Sequence, residues 1–274
     1  MAQDLLTTRE VAKVLGVGTT SIKRWADSGL LRCVKTPGGH RRFPRDAVEE
    51  FMARHRHQSD GTVTIPSPGH SDTFIGELTN GVPAEVVVRK LEAQRREKGS
   101  WAAVAEGMTD VLEEIGRSWA RGDISVIQEH IASERLSRAF SRCADSLERH
   151  SDAPVAAVML AEADEHTLGL HLLELCLREA GWNVYWIGRK TPIHFACEFI
   201  VSHHVQLLAV SASEYSRDSA SLADQAARLG HACRKRGIPL LLGGSGLWPE
   251  KPNYGHRMRS FAALRSWLSE YRRP

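Results

Sequence analysis

The spacing of apolar residues changes character three times along the chain. Val11, Ala12, Val14 and Leu15, and then Ile22, Trp25 and Ala26, recur at helical steps. They predict two short helices joined by a tight turn around Gly16, the second stopping near Gly29. Thr7 and Thr8 precede the first helix, with Glu10 available for a capping interaction, and Thr19 or Thr20 caps the second. LLRCVKTPGGHRRFP then predicts two short strands around a Pro-Gly-Gly turn. From Arg56 to Thr73 apolar periodicity disappears in favour of Ser, Thr, Gly and Pro, so this stretch buries too little to offset its ordering entropy. Helical spacing returns from Phe74 to His150, through Val86, Leu91, Val104, Met108, Leu112, Ile115 and Trp119. Gly122 and Asp123 interrupt it, and Ile124, Ile127, Ile131, Leu136 and Phe140 resume it.

After Pro154 the pattern becomes short apolar runs: residues 155–161, 183–188, 207–213 and 239–244. Helical stretches beginning near Gly169, Pro192 and Arg217 separate them. That alternation means a parallel sheet with right-handed crossovers. The expected fold is therefore multidomain. Residues 1–57 form a winged helix-turn-helix, 58–74 a flexible linker, 75–150 a four-helix-type bundle, and 151–274 a Rossmann-like α/β parallel sheet.

Length and composition leave this picture intact. The 274 residues suit two or three domains, and 42% hydrophobic with 25% charged residues is ordinary globular usage. No apolar run reaches the roughly 18 residues that a membrane span needs. The N-terminus lacks the layout of a signal peptide, so a bacterial cytoplasmic location is expected. The five cysteines, Cys33, Cys143, Cys176, Cys197 and Cys233, have neither disulfide-framework nor zinc-site spacing and read as reduced structural thiols. Charge is distributed unevenly: residues 1–57 carry 11 Lys/Arg against 6 Asp/Glu, and the rest 25 against 27. A basic module on a near-neutral body suits a binder of phosphate backbones.

The second helix presents Ser21, Lys23 and Arg24, and the return strand of the wing carries His40, Arg41 and Arg42. Guanidinium forks there suit phosphates and groove edges. Trp25 reads as core. The stretch TTREVAKVLGVGTTSIKRWADSGLLRCVKTPGGHRRF resembles the DNA-binding domain of the MerR family across its length. The resemblance implies operator DNA as partner, with Lys23, Arg24, Arg41 and Arg42 touching it.

On the loop after the first sheet strand, Asp164, His166 and Gly169 make D-x-H-x-x-G. Ligands bind at that edge of open parallel sheets. Ser211 and Ser213 end the third strand and Gly243-Gly244 the fourth, so three loops converge on one rim. These elements resemble the cobalamin-binding fold of methionine synthase, the mutases and light-sensing repressors. The resemblance implies His166 as lower axial ligand to cobalt, Asp164 fixing its tautomer, and Gly169 letting the next helix approach the nucleotide tail. It also implies Ser211 bonding the displaced base, and Gly243 and Gly244 leaving room for the tail.

Trp119 stands ten residues before Glu129-His130. That W-x9-E-H spacing resembles the CarH-type photoreceptor repressors, which join a MerR reader, a helix bundle and a cobalamin domain. It implies adenosylcobalamin, with Trp119, Glu129 and His130 around its adenosyl group. One position departs: light-sensing members carry a His directly after the Trp, and here it is Ala120. Alanine cannot ligate a metal, so a bis-histidine light state is not expected.

The reading is a non-enzymatic repressor controlled by adenosylcobalamin and light through assembly into a dimer or tetramer. Alternatives are a cobalamin or other tetrapyrrole sensor without light response, and a regulator whose cobalamin-like fold serves only protein interaction. A methyl-transferring or mutase enzyme is disfavoured: about 120 residues of sheet domain and about 75 of helices leave no room for a substrate barrel.

Overall fold

The computed structural model describes residues 5–15, 19–27, 29–36, 38–56 and 73–271. The turn expected at Gly16 and nearly all of the linker expected over 58–74 lie outside these residues, as do the side chains of Thr20, Ser21 and Arg24. The chain divides into two compact units. One combines Met1–Gly69 with Ile115–Glu129, the other His70–Glu114 with His130–Pro274.

The first unit contains β1 (Leu5–Thr7), α1 (Thr8–Leu15), α2 (Thr19–Asp27), β2 (Val34–Lys35), β3 (Arg41–Pro44) and α3 (Arg45–Arg56). The expected cap of α1 is present as a reciprocal box. Thr7 N donates to Glu10 Oε2 at 2.7 Å, and Glu10 N donates to Thr7 Oγ1 at 3.2 Å. The three strands pair antiparallel in the order β1-β3-β2, and Gly39, at φ +77°, supplies the left-handed residue of the wing turn. Val11, Ile22, Trp25, Leu31, Phe43, Val48 and Phe51 fill the core. Val14, which helical spacing placed among the apolar set, is instead 49% exposed.

Four helices follow: α4 (Phe74–Thr79), α5 (Ala84–Lys98), α6 (Trp101–Arg121) and α7 (Val126–Asp145). The break foreseen at Gly122-Asp123 separates the last two, and Ser125 and Gln128 form a capping box at the start of α7. Leu78, Val87, Leu91, Val104, Met108, Leu136, Ala139 and Phe140 are buried. Helices α6 and α7 each contribute residues to both units.

The sheet strands are β4 (Val155–Leu160), β5 (Asn183–Gly188), β6 (Leu207–Ser211), β7 (Leu240–Gly243) and β8 (His256–Arg257). Between and after them run α8 (Leu168–Glu179), α9 (Ile193–Ser202), α10 (Ser219–Arg236) and α11 (Phe261–Glu270). All strand pairs are parallel, in the order β5-β4-β6-β7-β8. Strand β4 is internal and covered on both faces, which is why VAAVML reads as an unbroken apolar run. Strand β5 lies at an edge and is less buried. Two-residue β8 and helix α11 lie beyond the elements that periodicity picked out; the strand is too short to carry a period.

Register decides where the site forms. Leu160 pairs with Ser211, and Ser211 pairs with Gly243, so β4, β6 and β7 end side by side. With β5 and β6 on either side of β4, the connections leave the sheet in opposite directions. The crevice beyond β4 and β6 is the switch point at which such sheets bind ligands.

Candidate functional site

The loop leaving β4 folds back on itself, with Ala161 N bonded to Ser211 O and Asp164 N to Ala161 O, both at 2.8 Å. This buries Asp164 to 3% exposure. Its carboxylate gathers four donors. Oδ1 accepts from His166 N at 2.9 Å and lies 2.8 Å from His166 Nδ1. Oδ2 accepts from Ser213 N at 2.5 Å and Ser216 Oγ at 2.7 Å. Burial pushes the acid's pKa up, but the bonds from the His166 ring, His166 N and Ser213 N outweigh it and hold the group well below the usual carboxylate range.

An ionised carboxylate only accepts, so in the neutral imidazole the proton sits on Nδ1 and the lone pair on Nε2. Ser213 Oγ lies 3.1 Å from the same Nδ1, and Tyr215 stacks on the ring at 4.6 Å between centroids. The His166 side chain keeps 34% exposure. The arrangement is an oriented, partly exposed imidazole backed by a fixed negative charge, which is how protein carboxylates tune a histidine ligand. Among the described residues no group of three or more His, Cys, Asp or Glu could hold a bare metal ion. A metal that brings most of its own ligands needs only one such donor.

The structure thus brings Asp164, His166 and Ser213 into contact from two strand ends. Gly169, in the first turn of α8, has Ser211 Oγ as the nearest atom to a Cβ built there, at 3.9 Å. A Cβ on Gly243 would meet only Val210 O, at 4.0 Å. Gly244 is glycine for a different reason: at φ +82° its Cβ would fall 2.2 Å from Ala212 O, so its own backbone contact requires it. Gly246 is similarly constrained, with Ala212 Cβ at 2.5 Å.

Several participants were missed by sequence reasoning. Tyr215 and Ser216 stand two and three residues after Ser213, and SASEYS was legible as a polar loop without revealing their aim. Trp248 Nε1 donates to Gly243 O at 2.9 Å. Arg257 donates to Leu242 O at 3.1 Å, Gly244 O at 2.7 Å, Gly246 O at 3.4 Å and Met258 O at 2.7 Å. A guanidinium so placed staples the glycine loop to the sheet. No sequence signal marked it, because β8 reaches β7 only through the sheet.

The other predicted positions lie elsewhere. Trp119 is 5% exposed, packed in the core of the first unit, and stacks on Trp25 with centroids 5.6 Å apart and planes at 25°. Glu129 is half-buried and belongs to the same unit, whereas exposed His130 belongs with the sheet. On the reader, Lys23 and His40 are exposed and Arg41 and Arg42 half-buried on β3. Thr36 N to His40 O at 2.9 Å closes the wing turn.

The helix-turn-helix domain family matches residues 5–56, and the B12 binding domain family matches residues 86–144. The chain joins a helix-turn-helix domain to a B12 binding domain. The HTH-type transcriptional repressor CarH of Myxococcus xanthus is 24% identical over 89% of this chain and 90% of its own. The repressor CarA of the same organism is 25% identical over 88% of this chain and 87% of its own. In domain order and content the chain is similar to these two repressors. Among solved structures, the monomethylamine corrinoid protein of Methanosarcina barkeri aligns at TM-score 0.47 and 19% identity, covering 70% of this chain and 86% of that one. The B12 match falls on the helices α5–α7, while the histidine donor comes from the sheet.

The residues at the rim fit a corrinoid. His166 offers one oriented nitrogen, Asp164 fixes its tautomer, and a Cβ at Gly169 or Gly243 would meet nothing closer than 3.9 Å.

Proposed function

We propose that the protein is a bacterial cytoplasmic repressor whose grip on operator DNA is set by adenosylcobalamin bound with His166 as the lower ligand to cobalt. The observation that carries this reading is the Asp164–His166 pair at the switch point, in a chain that also bears a helix-turn-helix reader. When bound, the cofactor supplies a cobalt–carbon bond that light breaks. The chain's residues do the rest. His166 would hold the cobalt, with Ser211, Gly169, Gly243 and Gly244 beside the nucleotide tail. Lys23, Arg24, His40, Arg41 and Arg42 face DNA. Assembly into a dimer or tetramer lets several readers engage one operator, where effective concentration multiplies a modest single-site affinity.

The test is an absorption spectrum. The purified chain is incubated with adenosylcobalamin in darkness, desalted, and recorded before and after green light. A retained corrinoid spectrum that changes on illumination, together with its loss in His166→Ala, supports the reading. Retention without change favours the cobalamin sensor blind to light, the reading that Ala120 suggests. No retained corrinoid refutes the His166 assignment.

A further inference from the structure

The glycine loop after β7 is held from outside the site by one side chain. Strand β8 pairs with β7 so that Arg257 lies beside Leu242, and Met258 N donates to Leu242 O at 2.9 Å. From there the guanidinium folds over the loop. Its Nη1 donates to Leu242 O at 3.1 Å and Met258 O at 2.7 Å, and its Nη2 to Gly244 O at 2.7 Å and Gly246 O at 3.4 Å. A planar fork reaches all of these carbonyls at once, which the single ammonium of a lysine does not.

The loop held in this way is locked in turn to the loop after β6. Ala212 N donates to Gly243 O at 3.1 Å, Gly246 N to Ala212 O at 2.8 Å, and Leu247 N to Ser216 O at 3.4 Å. No slack separates the two loops, because a Cβ on Gly244 or Gly246 would collide with Ala212. The loop after β6 carries Ser213, Tyr215 and Ser216. Ser213 N and Ser216 Oγ donate to Asp164 Oδ2, and Tyr215 stacks on the His166 ring. A continuous series of contacts therefore runs from Arg257 to the imidazole, all of it within the second unit.

We propose that Arg257 is a positioning residue for His166, setting the place of the β6 loop through the glycine loop and with it the orientation of Asp164 and the imidazole. Within its own loop Asp164 is bonded only to His166, two residues away, through Oδ1. The bonds on Oδ2 come from the β6 loop, and without them the carboxylate is free to turn about its side-chain torsions and take the ring with it. Supporting groups of this kind decide how well a histidine donor meets a metal. The part that concerns cobalt rests on the corrinoid reading above; the coupling of Arg257 to the β6 loop does not.

Two measurements on the full chain test it, each made on Arg257→Met and on Tyr254→Phe. The second variant is a control: it removes the 2.8 Å bond from Tyr254 Oη to Ile238 O, ahead of β7 rather than after it. The first measurement is hydrogen exchange of the Ala212, Ser213 and Gly246 amides, which bond Gly243 O, Asp164 Oδ2 and Ala212 O. In Arg257→Met their protection should fall at least about tenfold relative to the β4 amides, the size of one hydrogen bond from a charged group. Tyr254→Phe should leave that ratio at its wild-type value. An unchanged ratio in Arg257→Met, or an equal fall in Tyr254→Phe, overturns the proposal whether or not any corrinoid binds. The second measurement is the absorption spectrum of adenosylcobalamin retained in darkness, which separates cobalt with a nitrogen lower ligand from cobalt without one. In Arg257→Met the nitrogen-ligated fraction should drop and the corrinoid should dissociate about tenfold faster, the lower end for a group that supports a metal ligand. Wild-type ligation and dissociation in a variant whose loops have loosened overturns the link to His166. If Arg257→Met does not fold, Arg257→Lys decides by the same criteria, since it keeps the stem and the charge and loses the fork. A wild-type chain that holds no corrinoid refutes the functional reading instead, and the exchange result then judges the coupling of the loops alone.

Discussion

Replacing Asp164 by Asn keeps shape and removes charge, which makes it a sharp probe of the site. The carboxylate accepts from His166 N and the His166 ring through Oδ1, and from Ser213 N and Ser216 Oγ through Oδ2. An amide has one acceptor oxygen and one donor nitrogen, so one of these pairs must face a donor. If the nitrogen takes the Oδ2 position it opposes Ser213 N–H. If it takes the Oδ1 position it opposes His166 N–H and donates to Nδ1, moving the ring proton to Nε2 and removing the lone pair meant for a ligand. Either way a buried N–H loses its partner, at about 1–3 kcal/mol, and the surviving bonds lose a charged acceptor, for a total of about 2–4 kcal/mol. Native-state hydrogen exchange of the β4 and β6 amides reads this as roughly a thirtyfold to thousandfold loss of protection, wherever exchange proceeds by unfolding of this unit. Corrinoid affinity should fall about 10–100-fold, as when a ligand's supporting carboxylate is removed. If protection changes by less than about 0.5 kcal/mol equivalent and corrinoid dissociates at the wild-type rate, Asp164 is not what holds the loop and the ring.

Further tests follow from the geometry. Gly244→Ala forces a methyl against Ala212 O at a left-handed φ and should cost about 2–5 kcal/mol in urea unfolding. Gly243→Ala, with its nearest atom at 4.0 Å, should fold normally yet retain less corrinoid; equal retention would remove that glycine from the tail's path. Arg41→Ala/Arg42→Ala should weaken operator binding and lower the slope of log K against log salt by about 0.9 for each DNA phosphate left without its guanidinium; an unchanged slope rejects the wing assignment. His171 lies 2.9 Å from Ser137 Oγ and packs at a tilt against Trp186, and burial holds its pKa below 6.5, against the opposing charges of Glu174 and Glu134. The unfolded chain then takes up this proton first, so stability should decline as pH falls from about 6.5 toward the folded pKa. Melting temperatures between pH 7 and pH 5 should show a smaller decline in His171→Gln, and an equal decline would assign the pH dependence to another group.

Much of this protein was legible in local sequence. The apolar runs at 155–161, 183–188, 207–213 and 239–244 became β4, β5, β6 and β7, and the break at Gly122-Asp123 became the turn between α6 and α7. The Thr7–Glu10 box formed where the residues allowed it. These features depend on neighbours within a few positions, where period, capping chemistry and glycine conformation act. The D-x-H-x-x-G loop was equally readable, because Asp164 and His166 are close enough in sequence to bond each other directly.

What only tertiary structure decided are the interactions between distant parts of the chain. Ser213 meets Asp164 from 49 residues away because β6 pairs beside β4, and strand order leaves no trace in periodicity. Arg257 reaches the glycine loop through a two-residue edge strand too short to carry a pattern. Trp119 has the spacing of a helix core residue, and the family resemblance set it at the adenosyl group. Which core takes it, that of the reader with Trp25, was settled by packing. Hydrophobic pattern states that a side chain must leave water; the choice of partner is made by whichever surfaces the rest of the fold brings within reach.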